Sequence, residues 1–80
     1  MATDICIRLG ERIRVLRKSR GWRQIDLAAH AGIGKNHICE LERGTREIGL
    51  RNLAAIAVAL DTTPDALLKG LLEKSTKWTA

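Results

Sequence analysis

Lys35, Asn36, Glu40 and Arg43 fall in one short stretch, and each carries a side chain able to donate or accept hydrogen bonds at a distance from the backbone. At about 100° per residue, a helix over 35–43 turns Ile38 and Leu41 to one side. Asn36, Cys39, Glu40 and Arg43 then fan out opposite, with Lys35 at the edge. Lys and Asn suit the edges of bases, and Arg suits either a guanine edge or a phosphate. Glu40 repels phosphate, so it has a place on such a face only by accepting from a cytosine amine or by orienting an arginine. This set of groups binds and does not catalyse. The sequence offers no paired carboxylates, no nucleophile beside a base and no phosphate-cradling loop, so no catalytic residue is expected and an enzyme is not.

The elements that must position these groups are written in the surrounding segment, QIDLAAHAGIGKNHICELERG from Gln24 to Gly44. Leu27, Ala28 and Ala31 recur at helical spacing and form one face of a second helix, about Gln24 to Ala31. The next helix, about Lys35 to Arg43, faces it with Ile38 and Leu41. Two helices meeting over so short a turn need a small side chain at the contact, Ala28, and a backbone free to take positive φ at the corner, Gly32. Together they spell a helix-turn-helix. Exposed N–H groups at the start of the second helix form a seat for a phosphate near Gln24, whose amide adds a donor. Arg43 and Arg46 are placed to grip the phosphate backbone from the other end.

Five helices and no strand are expected. The first runs from about Asp4 to Arg20, with Ile5, Leu9, Ile13 and Leu16 on one side and Gly21 ending it. The fourth, Leu50 to about Leu60, is apolar nearly all round and so is expected either central in the fold or shared with a subunit. Thr63-Pro64-Asp65 opens the fifth with a capping hydroxyl, a proline at the first helical position and an acid near the positive dipole end. That helix is expected to carry Leu67, Leu68, Leu71 and Leu72. Residues 1–72 form the domain, and the tail 73–80 is polar apart from Trp78.

Eighty residues make one small domain that buries only roughly 60% of its unfolded surface and gains from a partner subunit. Fourteen basic residues against nine acidic ones give a net charge of +5, which draws the chain to polyanions. The longest apolar run, Leu53 to Leu60, is too short to span a bilayer, and no cleavable leader is written at the N-terminus. No membrane association is expected, and the chain is read as cytoplasmic. Cys6 and Cys39 lie far apart with no companion ligands, so neither a metal site nor a disulfide is expected, and no cofactor. His30 and His37 are read as packing or capping residues, and Cys39 as a small filler.

The segment Glu11 to Leu68 resembles the Cro and phage-repressor class of helix-turn-helix regulators. The resemblance rests on Ile13-Arg14-Val15-Leu16-Arg17-Lys18, Gln24, Leu27-Ala28, Ala31-Gly32-Ile33, Ile38 and Leu41-Glu42-Arg43-Gly44. Arg46, Leu50, Leu53, Ile56, Ala57 and Leu60 extend it. It implies a lambda-repressor-like all-α fold of five helices, with helices 2 and 3 as the helix-turn-helix. It also implies a phosphate role for Gln24 and an internal ion pair between Arg17 and Glu42. Three positions depart from the family pattern. Arg23 replaces a capping Ser or Thr, at a cost of about 1 kcal/mol, unless it reaches a phosphate instead. Gly34 replaces the hydroxyl cap of the third helix. Ile48 stands where proline is common, and this together with the short length of the chain resembles the small controller proteins of restriction-modification systems.

The reading that follows is a homodimeric, sequence-specific regulator of transcription on double-stranded DNA. Lys35, Asn36 and Glu40 would read bases, and Arg23, Gln24, Arg43 and Arg46 would hold phosphates. Two third helices related by a two-fold would enter successive major grooves about 34 Å apart on an inverted repeat. Val58, Leu67, Leu68, Leu71 and Trp78 are expected at the dimer contact. The alternative is the antitoxin half of a toxin pair, with a protein partner on part of its surface.

Overall fold

The computed structural model describes residues 4–71. The chain folds as α1 (Ile5–Ser19), α2 (Gln24–Ala31), α3 (Lys35–Arg43), α4 (Leu50–Ala59) and α5 (Pro64–Leu68), with no strand among the described residues. This is the all-α arrangement of five helices expected. Leu72, Trp78 and the tail 73–80 lie outside the described residues.

The caps explain where the helices begin and stop. Asp4 precedes α1 and its Oδ1 accepts the Cys6 N–H at 2.7 Å, satisfying one of the donors a helix start leaves over. At the other end the Trp22 and Gly21 N–H groups donate back to the Arg17 and Lys18 carbonyls at 3.2 and 2.9 Å, the double closure of a Schellman motif. Thr63 Oγ1 accepts from the Ala66 N–H, and Pro64 occupies the first turn of α5.

One core joins all five helices. Ile13, Leu27, Ile38, Ile56 and Leu67 are its largest sealed side chains, one from each helix. α1 packs on α3, α2 on α3 and α4, and α5 on α1 and α4. Burying an aliphatic side chain of this size is worth about 1.5–3 kcal/mol, so these residues decide how the helices sit. Gly10 allows the closest approach. A Cβ added there would lie 2.6 Å from the Glu42 carbonyl oxygen and closer still to that of Leu41, so α1 rests directly on the backbone of α3.

Three expectations change at this level. The fifth helix is a short one that ends at Leu68, where Lys69 turns extended. Carbonyls at its end and in the segment that follows are taken by arginines of α1: Arg12 Nη1 donates to Leu67 O at 3.0 Å and to Lys69 O, and Arg8 Nη1 to Leu71 O at 2.8 Å. Leu67 and Leu71 are sealed in the chain's own core, at 1% and 4% exposure. Both are expected from the sequence at a dimer contact, and neither side chain is available to one, because the α1–α4–α5 junction already covers them. Val58 and Leu68 remain exposed. Within α4, Leu53, Ile56 and Ala57 face inward while Leu50 and Val58 face out, so an apolar helix shows solvent one apolar side. Ile5, assigned to the inner stripe of α1, sits half out at its first turn. Among the described residues no helix is long and apolar enough to cross a membrane.

Candidate nucleic-acid interface

Helices α2 and α3 are joined by Gly32-Ile33-Gly34, and the corner is at Gly32, whose φ of 68° lies in the left-handed region. Its N–H and that of Ile33 both donate to the Ala28 carbonyl, while the Ala28 side chain is buried at the contact. A residue with a Cβ at position 32 pays for that φ in backbone strain even though space is open beside it. Gly34 precedes α3 in extended conformation with no side-chain cap, and the Ile38 N–H closes the first turn onto its carbonyl at 3.1 Å.

The two sides of α3 separate as its spacing demands. Ile38 and Leu41 are buried in the core. Lys35, Asn36 and Arg43 are exposed, and Glu40 is half-buried beside them. Arg46, two residues beyond Gly44, reaches back so that its Nη1 donates to Glu40 Oε1 at 3.1 Å. The Glu40 carboxylate is thus paired with an arginine in the chain without DNA. Cys39 departs from expectation. Its side chain is half-buried, and its Sγ donates to Gln24 Oε1 at 2.8 Å.

Gln24 also differs from a free donor at a helix start. Its Nε2 donates to Glu42 Oε1 at 3.2 Å while its oxygen takes the Cys39 thiol. Its amide therefore bridges α2 to α3. Glu42 in turn receives Arg17, Nε to Oε2 at 2.6 Å and Nη2 to Oε1 at 2.9 Å. The hydrogen bond to Glu42 pushes the Arg17 guanidinium further up from its already high range, against the opposing pull of burial. Arg17 Nη1 also donates to the Trp22 carbonyl at 2.8 Å. One guanidinium thus fixes both the loop that enters α2 and the inner side of α3.

At position 23 the missing hydroxyl cap is partly replaced. Asp26 Oδ2 accepts the Arg23 backbone N–H at 2.8 Å, the return half of a capping box. The same carboxylate pairs with the Arg23 guanidinium, Nε to Oδ2 at 3.2 Å. That pairing holds Asp26 below the ordinary carboxylate range. The Arg23 side chain stays largely exposed, in reach of solvent at the start of α2.

Two contacts here had no signal in helical spacing. Trp22 and His30 stack with ring centroids 4.2 Å apart and planes within 4°, clamping the loop before α2 to the last turn of the same helix. The Arg20 guanidinium lies 5.0 Å from the Trp22 ring, within cation–π range. His37 turns toward the interior, as expected of a packing residue, and its Nε2 is buried with no hydrogen-bond partner among the described residues.

The comparisons with known proteins fit this geometry. Residues 13–67 match the helix-turn-helix family. Repressor protein C2 of Salmonella phage P22 is 40% identical over 67 residues, which cover 84% of this chain and 31% of that protein, so the chain spans less than a third of that relative's length. A solved structure of the P22 c2 repressor in complex with a synthetic operator superimposes with a TM-score of 0.72 at 42% identity, over 78% of this chain and 94% of that one. The restriction-modification controller protein C.AhdI of Aeromonas hydrophila superimposes with a TM-score of 0.75 at 35% identity, over the same shares of the two chains. With the core, the Gly32 corner and the outward side of α3 placed as described, the chain belongs to the helix-turn-helix family of the Cro and phage-repressor type.

Proposed function

We propose that this chain binds double-stranded DNA sequence-specifically as a homodimer and regulates transcription from an inverted-repeat operator. The observation that carries the reading is the division of α3. Its Ile38 and Leu41 side is locked into the core, and its Lys35, Asn36 and Arg43 side is bare and rich in donors. A helix anchored on one side and presenting polar groups on the other is what the major groove accepts. Lys35 and Asn36 read base edges. Arg43 and Arg46 hold phosphates beyond the C-terminal end of α3, and Arg23 with Gln24 holds them at the start of α2, beside its leading N–H groups. Glu40 aims Arg46. The net charge of +5 supplies the long-range attraction.

Val58 and Leu68 carry the dimer contact in this reading, since both are exposed apolar side chains. With half-sites related by a two-fold, the two copies of α3 enter grooves about 34 Å apart.

Selection of bound duplexes from a random pool tests the proposal. The expected product is an inverted repeat with half-sites one helical turn apart, bound with an affinity that falls steeply with salt. A pool that returns no enriched sequence, or binding that is flat with salt, overturns it.

A further inference from the structure

Resting on that reading, we propose that Cys39 is a positioning residue for the phosphate contact of Gln24, acting with Glu42 to hold the amide with one N–H left for DNA. What each group is able to donate sets the orientation. The Glu42 carboxylate already receives two N–H groups from Arg17 and accepts only. Any side chain that approaches it must come with a donor, so Gln24 turns its nitrogen to Glu42 and its oxygen away. On that far side stands Cys39, whose thiol donates to the oxygen at 2.8 Å.

The amide is therefore held at both ends. It has two N–H groups, and one goes to Glu42. The other has no partner among the described residues, and it belongs to the first residue of α2, where the backbone N–H groups of Gln24 and Ile25 precede the first hydrogen bond of the helix, made by Asp26 to the Arg23 carbonyl. It joins that row as one more donor for a phosphate oxygen. The terminal torsion of a glutamine is broad and nearly two-fold. Removing the Cys39 donor releases one of the two tethers, and the amide then spreads over orientations in which that N–H no longer lines up. Cys39 itself reads no base while its single proton is committed to Gln24.

The test uses the full chain and the duplex recovered by selection. Five proteins are compared: the parent, Gln24→Ala, Cys39→Ala, Cys39→Ser and the Gln24→Ala/Cys39→Ala pair. Circular dichroism establishes that each is folded. Cys39→Ala and Gln24→Ala are each expected to weaken binding about fivefold per half-site, the scale of one hydrogen bond. The pair is expected to be no weaker than Gln24→Ala alone, and Cys39→Ser, which keeps a donor, to restore parental affinity. Ethylation of single phosphates gives the second readout. One position per half-site that interferes with the parent is expected to stop interfering with both Gln24→Ala and Cys39→Ala. A serine variant as weak as the alanine one, or a pair whose loss is the product of the two single losses, overturns the positioning role. Unchanged affinity in Gln24→Ala overturns it too, while leaving DNA binding itself standing. Failure of the parent to bind any selected duplex overturns the functional reading and this inference together.

Discussion

Arg17 on α1 and Glu42 on α3 form a two-pronged bridge whose side chains are only 8% and 4% exposed, and the Gln24 amide completes it from α2. Two charges removed from water this far are costly to separate, because the partner left behind is buried and uncompensated. Arg17→Met or Glu42→Leu alone is expected to destabilise the chain by about 3–5 kcal/mol. The two together, which bury no charge, are expected to recover most of that stability. Urea unfolding of the four proteins measures it, and a pair as unstable as the sum of the singles would count against a buried bridge.

Gly10 supports the same junction by offering no side chain. Its neighbours across the junction are the carbonyl oxygens of Leu41 and Glu42, which are backbone and do not move aside as a side chain does. Gly10→Ala is expected to cost about 1–3 kcal/mol as overpacking, even though alanine is the better helix former. Each kcal/mol lowers the melting temperature of a domain this size by roughly 4–8 °C. A variant that melts with the parent would show that α1 and α3 separate freely.

Helical spacing made the architecture readable. Leu27 with Ala28, Ile38 with Leu41, and Thr63-Pro64-Asp65 each mark an element through its own residues, and Gly32 marks the corner between two of them. The placement of α5 against the rest was less legible. Leu67 and Leu71 lie at helical spacing, a pattern that reports an apolar side but not the surface that receives it, and the structure gives that surface to α1 and α4. The Gln24–Cys39 hydrogen bond and the Trp22–His30 stack depend on side-chain directions across a turn, which no periodicity encodes. Gly10 did leave a signal. A glycine inside an otherwise helical run costs about 1 kcal/mol against alanine, and the usual reason for tolerating it is a close backbone approach.

Lys35 and Asn36 are exposed at the start of α3, and among the described residues neither side chain makes a hydrogen bond or ion pair. Lys35→Ala and Asn36→Ala are therefore expected to leave the urea midpoint where it is. Discrimination between the selected operator and random duplex should fall by about 1–3 kcal/mol for each base-edge hydrogen bond removed. Equal weakening on both DNAs would assign these residues to the backbone rather than to the bases.

Asp26 links the α2 start to pH. The Arg23 guanidinium and backbone N–H both bind its carboxylate, so its folded pKa lies below the ordinary aspartate range near about 3.9. A group held low when folded binds fewer protons in that state than when unfolded. Its contribution is present in full above the ordinary range and is lost as pH falls through the lower folded value. Arg23→Ala is expected to move the Asp26 pKa, followed by carboxyl-carbon NMR, back toward the ordinary value, and to reduce the loss of stability on acidification. The Asp65 carboxylate, held low by the Thr63 hydroxyl, provides the internal control. It should titrate unchanged in that variant, and a matching shift at Asp65 would trace the effect to the fold instead of to Arg23.

Arg46 and Glu40 meet at 3.1 Å with both side chains partly exposed, so the pair adds little to stability and its consequence lies in binding. Arg46→Ala is expected to weaken every duplex alike and to lower the salt slope by about 1 per half-site. Glu40→Gln removes a carboxylate that both repels phosphates and holds Arg46 in one direction. Random duplex should then bind more tightly, because the freed guanidinium reaches any backbone, while the selected operator gains less, because the fixed direction is gone. The gap between the two DNAs closes from the non-specific side. A Glu40→Gln variant that instead loses affinity for the operator alone, with preference relaxed at a single base pair, would make Glu40 a reader of a cytosine amine and its pairing with Arg46 incidental.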